Sequence, residues 1–164
     1  MIYLLCGMIA SGKSTVARKL AKEKNAIIIN DDDIVTMLHG DYTSYDETLK
    51  PLYKSIENHI LTAAILAGRD VIVDRGVNIK KSSRQRWIEL AKSLDQDIVA
   101  VVTERDWPEV HSKRRFEHDK RGHSYDYWLK VAKYHDQEYR EPSYSEGYIN
   151  ILSSETTRKY LDDN

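Results

Sequence analysis

Residues 7–15 read GMIASGKST, which fits G-x-x-x-x-G-K-[ST], and they lie between an apolar run, IYLLCG (2–7), and the helix-spaced Val16, Ala17, Leu20 and Ala21. Few short patterns restrict a fold as tightly. A buried strand must end at Gly7, and a helix must begin near Lys13. Between them the loop must turn its backbone N–H groups inward around an anion, with the helix's positive end aimed at the same point. Gly7 and Gly12 allow the backbone angles that such a loop needs. Ala10, Ser11, Gly12, Lys13, Ser14 and Thr15 are then expected to hold the phosphates of a nucleoside triphosphate. Lys13 reaches the β- and γ-phosphates, and the Ser14 hydroxyl holds Mg²⁺. A chance glycine turn is the competing explanation, and the flanking register argues against it. The motif specifies a nucleoside triphosphate and leaves the acceptor open.

The remaining chain alternates. Strands are expected at 26–30 (AIIIN), 70–74 (DVIVD), 97–104 (DIVAVVTE) and 147–153 (GYINILS), and helices at 13–24, 33–39, 49–67, 83–94, 107–119 and 124–139. Such alternation implies an α/β protein: a parallel sheet of about five strands between two helical layers, α/β/α. Ligands bind such sheets outside the C-terminal strand ends. Residues 7–14, 31–33, 74–78 and the segment after Glu104 should therefore meet at one edge. The 164 residues are expected to make one domain, 1–164, with a helical lid at about 107–124. A net charge of −1 leaves no global field to draw the chain onto nucleic acid or membrane, although a local basic face remains open. The lone Cys6 can make no internal disulfide, and no run approaches the ~20 apolar residues of a membrane span. A cytoplasmic location is the default expectation, and oligomeric state is not legible.

No N-K-x-D base-recognition motif accompanies the loop, which argues against a switch GTPase. A motor ATPase would carry paired acids after an apolar run, whereas strand three ends VIVDRG with Asp74 alone. Phosphoryl transfer to a bound hydroxyl fits better, and it asks for charge neutralisation and a carboxylate to take the acceptor's proton. Strand two runs into three carboxylates, Asp31, Asp32 and Asp33. Asp32, in the middle, is the expected base, with Asp31 and Asp33 as candidates to cap the following helix. Capping and turn chemistry alone is the plainer reading. Among the cations of WPEVHSKRRFEHDKRGHS (107–124), Arg115 and Arg121 are expected on ATP phosphates, with Gly122 as hinge or terminator. The stretch also reads as a solvated amphipathic helix. A second basic run, KKSSRQR (80–86), either tracks an acceptor's phosphates or is an ordinary wet helix start. Tyr42, Tyr45 and Tyr53 stack on a ring or line the core edge; Trp128, Val131, Ala132 and His135 read as packing. The six histidines show no metal spacing, and no structural zinc is expected.

In their order along the chain, GMIASGKST, INDDDI, VIVDRGVN, RQRWIELAK, WPE (107–109) and KRG (120–122) resemble the P-loop kinases of the polynucleotide 5′-hydroxyl kinase type, over residues 1–150. The resemblance implies a P-loop kinase fold with an arginine lid, and an enzyme that uses ATP and Mg²⁺. By the same likeness Lys13 and Ser14 match the cradle, Asp32 the carboxylate that activates the acceptor, and Arg121 the lid arginine. Asp74 matches the acid after the third strand. The acceptor is expected to meet Asp32, Asp74, Arg75 and Arg84, and to be the 5′-hydroxyl of DNA or RNA or a hydroxylated base in DNA. Two positions depart from the pattern. Val35 stands where an arginine usually holds the acceptor's phosphate, and a second lid arginine is hard to place. A small-molecule kinase acting on a nucleoside, sugar or antibiotic is the alternative, and a non-enzymatic nucleotide-binding regulator is a third.

Overall fold

Apolar, β-branched runs too short for helices make the strands, and the computed structural model, which describes residues 1–162, stacks them in parallel. In chain order the elements begin β1 (Ile2–Cys6), α1 (Lys13–Lys24), β2 (Ile27–Asn30), α2 (Asp31–His39), α3 (Lys50–Leu66) and β3 (Val71–Asp74). They continue with α4 (Lys81–Ser93), β4 (Ile98–Val102), α5 (Pro108–Glu117), α6 (Tyr125–Glu138), β5 (Asn150–Leu152) and α7 (Ser154–Asp162). The sheet order is β2-β3-β1-β4-β5, every pair parallel. β1 is thus the centre, and each of its five residues is buried.

Alternation along β1 divides the core in two. Tyr3 and Leu5 pack with Val16, Leu20 and Tyr160 of α1 and α7 on one face. Ile2, Leu4 and Cys6 pack with Leu61, Trp87 and Ile88 of α3 and α4 on the other. The three-layer α/β/α arrangement stands as expected; α5 occupies most of the segment read as a lid, and α6, packed against it, extends the lid beyond residue 124. Cys6 is a free thiol pushed up to about 12 by burial, so it remains protonated and inert at neutral pH. Among the described residues no helix is long and apolar enough to cross a membrane.

Three departures from the sequence reading concern the fold itself. α2 starts at Asp31 rather than residue 33, because Asn30 provides the cap. A final helix, α7, follows β5 where none was expected, and its apolar side closes against α1.

The third departure is Arg84, expected at the acceptor. Its side chain is 0% exposed. Nε and Nη2 grip Glu146 at 2.9 and 2.8 Å, and Nη1 donates to the carbonyls of Asn78, Ile79 and Arg140. It therefore ties α4 to the chain leading into β5 and cannot reach a ligand. Two more cations of the 80–86 run are engaged too: Arg86 holds Glu57 at 2.6 Å, and Lys80 holds Glu138 at 3.1 Å. Removing either partner of the Arg84–Glu146 pair strands a buried charge, so Arg84→Ala or Glu146→Ala is expected to cost about 3–5 kcal/mol in urea unfolding. Replacing both together with apolar residues should cost less than either single change. A larger loss in the double variant would overturn this account of the pair.

Candidate active site

The loop after β1 has the geometry of an anion cradle. A Cβ on Gly7 would lie 1.9 Å from Thr103 Oγ1, so only glycine lets the loop close against the end of β4. Ala10 (φ +52°) and Gly12 (φ +84°) take left-handed steps, which turn successive N–H groups to the inner side. Gly12 caps α1 without a side chain, and no acid sits in the first turn, leaving the positive helix end free for an anion. Ser11 and Thr103 share a hydroxyl hydrogen bond of 2.6 Å that braces the loop. The Lys13 ammonium folds back to donate to the carbonyls of Gly7, at 3.0 Å, and Met8. Burial lowers its pKa to about 8, with the Asp74 carboxylate pulling the other way.

Beside the loop, Asn30 organises the three aspartates. Its Oδ1 accepts from the N–H groups of Asp32 and Asp33 at 2.9 and 3.3 Å. Neither Asp31 nor Asp33 is the cap, contrary to the sequence reading. All three acids lie in the first turn of α2, where the helix dipole offsets part of their mutual repulsion. Helical rather than extended geometry then separates them. Asp31 faces Arg75, at 3.2 and 3.3 Å, and Asp32 faces Arg121, with both carboxylate oxygens at 3.0 Å. Asp33 lines the outer cleft. The Asp32 side chain is 55% exposed. The cleft walls nonetheless raise its pKa above the ordinary carboxylate range, and the Arg121 guanidinium opposes this.

Arg121 lies between Asp32 and the ring of Tyr42, whose centroid is 4.6 Å from the guanidinium carbon. Its own turn is held by Asp119, which accepts from the N–H groups of Arg121 and His123 at 2.9 and 2.7 Å. Arg115 lies over Trp128 at 4.6 Å. Lys13, Ser14, Asp32, Asp74, Arg115 and Arg121 thus converge on one cleft of ≈ 690 Å³, within the size range of ligand sites. An adjoining pocket of ≈ 490 Å³ runs outward between α2 and the lid, with Arg18, Arg115, His118 and Lys120 among its walls.

Three residues here were not singled out by the sequence reading, or were read only as packing. Asn30 could have been named, since asparagine caps helices as well as aspartate does. Glu57 has a readable signal: it lies with Tyr53, Leu61 and Ala64 on the buried side of α3, an acid on an apolar face. It draws in both Arg75 and Arg86, so Arg75 is engaged behind the cleft by Asp31 and Glu57 rather than aimed at an acceptor. His135, read as packing, accepts the Ile9 N–H at 3.1 Å. Tyr53, read as a possible stacking platform, is buried and bonded to His39 at 2.9 Å.

For a metal, the exposed Ser14 hydroxyl and the Asp74 carboxylate border the same cleft. They suit Mg²⁺, which takes one or two protein oxygens, substrate phosphates and waters rather than a full protein cage.

The family model described as AAA domain (AAA_33) matches residues 2–138. The chain belongs to this family, a group of P-loop kinase domains. A shikimate kinase of Corynebacterium efficiens is 25% identical over 126 residues, 71% of this chain and 73% of that one. Among solved structures, a gluconokinase from Sinorhizobium meliloti 1021 superimposes with a TM-score of 0.58 at 18% identity, covering 97% of this chain and 88% of its own. A chain of the Pnkp1/Rnl/Hen1 complex gives 0.61 at 22% identity, over 75% of this chain and 39% of that larger one. At such identities the structural likeness establishes the P-loop kinase fold, and the nucleotide use it implies is ATP.

Lys13 supplies a pH test of the cradle. In the free protein its pKa is lowered to about 8, and bound phosphates favour the charged form. Above that pH, ATP binding must take up a proton. Affinity is expected to fall as pH rises past about 8, approaching about tenfold per pH unit. Calorimetry at alkaline pH in two buffers of different ionisation enthalpy checks this; heats independent of the buffer would refute it.

Proposed function

We propose that this P-loop kinase transfers the γ-phosphate of ATP to the 5′-hydroxyl of a polynucleotide, with Asp32 as general base. The observation that carries the reading is the meeting of Asp32 and Arg121, 89 residues apart in sequence, at the open side of the phosphate cradle. In the reaction the acceptor O–H gives its proton to the Asp32 carboxylate while its oxygen bonds to the γ-phosphorus. The bond from that phosphorus to the bridging oxygen breaks, and ADP leaves with the electron pair. Lys13 neutralises charge on the β- and γ-oxygens, and Arg121 exchanges Asp32 for the phosphoryl group. Mg²⁺, held by Ser14 and with Asp74 at its edge, supplies further charge neutralisation when bound.

A phosphate-bearing acceptor is supported by the outer pocket. Arg18, Arg115 and Lys120 border it, and none of the three is in an ion pair among the described residues. Unpaired cations along one wall suit a phosphate backbone extending from the reacting end. A hydroxylated base in DNA would meet the same wall. One observation favours a small-metabolite hydroxyl instead: Val35 is only 2% exposed, so α2 presents no cation to the acceptor. The similarity to a protein named shikimate kinase points the same way.

Transfer from γ-labelled ATP with Mg²⁺, to a 5′-hydroxyl oligonucleotide beside nucleosides and sugars, tests the proposal. Label is expected on the oligonucleotide end; label confined to a small molecule would replace the acceptor and keep the mechanism. Asp32→Ala should lower kcat by roughly 10²–10⁴, the usual contribution of a general base, with ATP affinity nearly unchanged. A variant as active as the wild type would remove Asp32 from that role. Lys120→Gln should weaken oligonucleotide binding and reduce the salt slope by about one. A slope unaltered by that change would take Lys120 off the acceptor's path.

A further inference from the structure

Within the phosphate loop, the Ile9 N–H does not point at the cradle. It donates to Nδ1 of His135, which reaches the loop from lid helix α6 at 3.1 Å. From the other lid helix, α5, His111 comes to the same stretch. It is 0% exposed, and its Nε2 accepts the Asp106 N–H at 3.0 Å. Its Nδ1 is buried against the Ala10 backbone. An imidazole accepting at Nδ1 must be neutral and carry its proton on Nε2. The surroundings favour that form: burial lowers the pKa of His135 to about 4, with Lys13, His111 and Lys80 adding to the effect.

The position of this contact gives it consequence. Ala10, the next residue, has a Cβ and still adopts φ +52°, a conformation that L-residues avoid and that neighbours must hold. It lies two residues before Gly12, so any relaxation at residues 9–10 redirects the amides that follow. His135 and Trp128 of α6 also border the ligand cleft. We propose that His135 is a positioning residue of the phosphate cradle: by accepting the Ile9 N–H, lid helix α6 holds the loop in its anion-binding shape. Cradle and lid are then joined at this contact. The inference rests on the loop being the nucleotide site, but not on which acceptor is phosphorylated.

The test uses the full chain with three substitutions. His135→Asn keeps an acceptor near the place of Nδ1, His135→Gln moves it outward, and His135→Leu keeps bulk without an acceptor. ATP affinity by calorimetry, KM and kcat are read beside the thermal midpoint. His135→Leu is expected to weaken ATP binding and raise KM roughly tenfold, the size of one lost hydrogen bond, with kcat little changed. His135→Asn should recover binding to within about threefold of wild type. Wild-type affinity in the Leu variant, or equal losses in the Leu and Asn variants, would overturn the proposal and leave His135 a packing residue. If the Leu variant does not fold, Asn against Gln decides: tighter ATP binding by Asn supports the role, and equality refutes it. A wild-type protein that binds no ATP would instead overturn the reading of the cradle. A protein that binds ATP but ignores oligonucleotides would leave this inference standing.

Discussion

One side-chain amide, that of Asn30, joins the ends of two strands and starts a helix. Its oxygen caps α2, and its nitrogen donates to the Asp74 carbonyl and carboxylate at 3.2 and 3.3 Å. Because β2 pairs in register with β3, Asn30 lies opposite Asp74, and the amide spans that short gap. The direction in which α2 leaves the sheet follows from this cap. Through it the outward aspects of Asp31, Asp32 and Asp33 are set about a hundred degrees apart, so three like charges share one turn without sharing one function. Asp74 is held at the same time, at the edge where the nucleotide's metal would stand.

The polar layer behind the cleft continues this logic. Glu57, with a side chain only 1% exposed, anchors Arg75 and Arg86, and Arg75 in turn holds Asp31. A buried carboxylate with two guanidiniums is satisfied in charge, and it joins α3 and α4 to the start of α2. Cations that the sequence offered as ligand contacts are thus divided by depth. Arg75, Arg84 and Arg86 are internal ties, while Lys13, Arg115 and Arg121 border the cleft.

Much of the architecture was legible because it rests on local rules. Apolar runs that alternate with helical spacing define the sheet and its layers, and the glycine-rich loop places the anion site at the end of β1. That the segments carrying Asp32 and Arg121 meet at one edge was also foreseeable, since both follow C-terminal strand ends; the pairing of the two side chains was not. What stayed hidden depends on partner choice across long separations. Nothing near Arg84 in the sequence indicates that Glu146, 62 residues on, will enclose it. His135 looks like a core residue by periodicity, and it is one. Its hydrogen bond to a loop amide 126 residues away is a fact of tertiary geometry alone. The Asn30 cap was missed for a different reason, because three adjacent aspartates offered a competing choice of equal propensity.

Under the proposed mechanism, the Asp32–Arg121 pair also bears on the kinetic order of the reaction. With both oxygens of the Asp32 carboxylate held by Arg121, an acceptor that arrived first would meet a carboxylate already committed elsewhere. A nucleotide that arrives first offers the guanidinium a more highly charged partner and frees the carboxylate. The route through the enzyme then has a preferred sequence of arrivals, nucleotide ahead of alcohol. Product-inhibition patterns would take the form of an ordered bisubstrate mechanism rather than a random one.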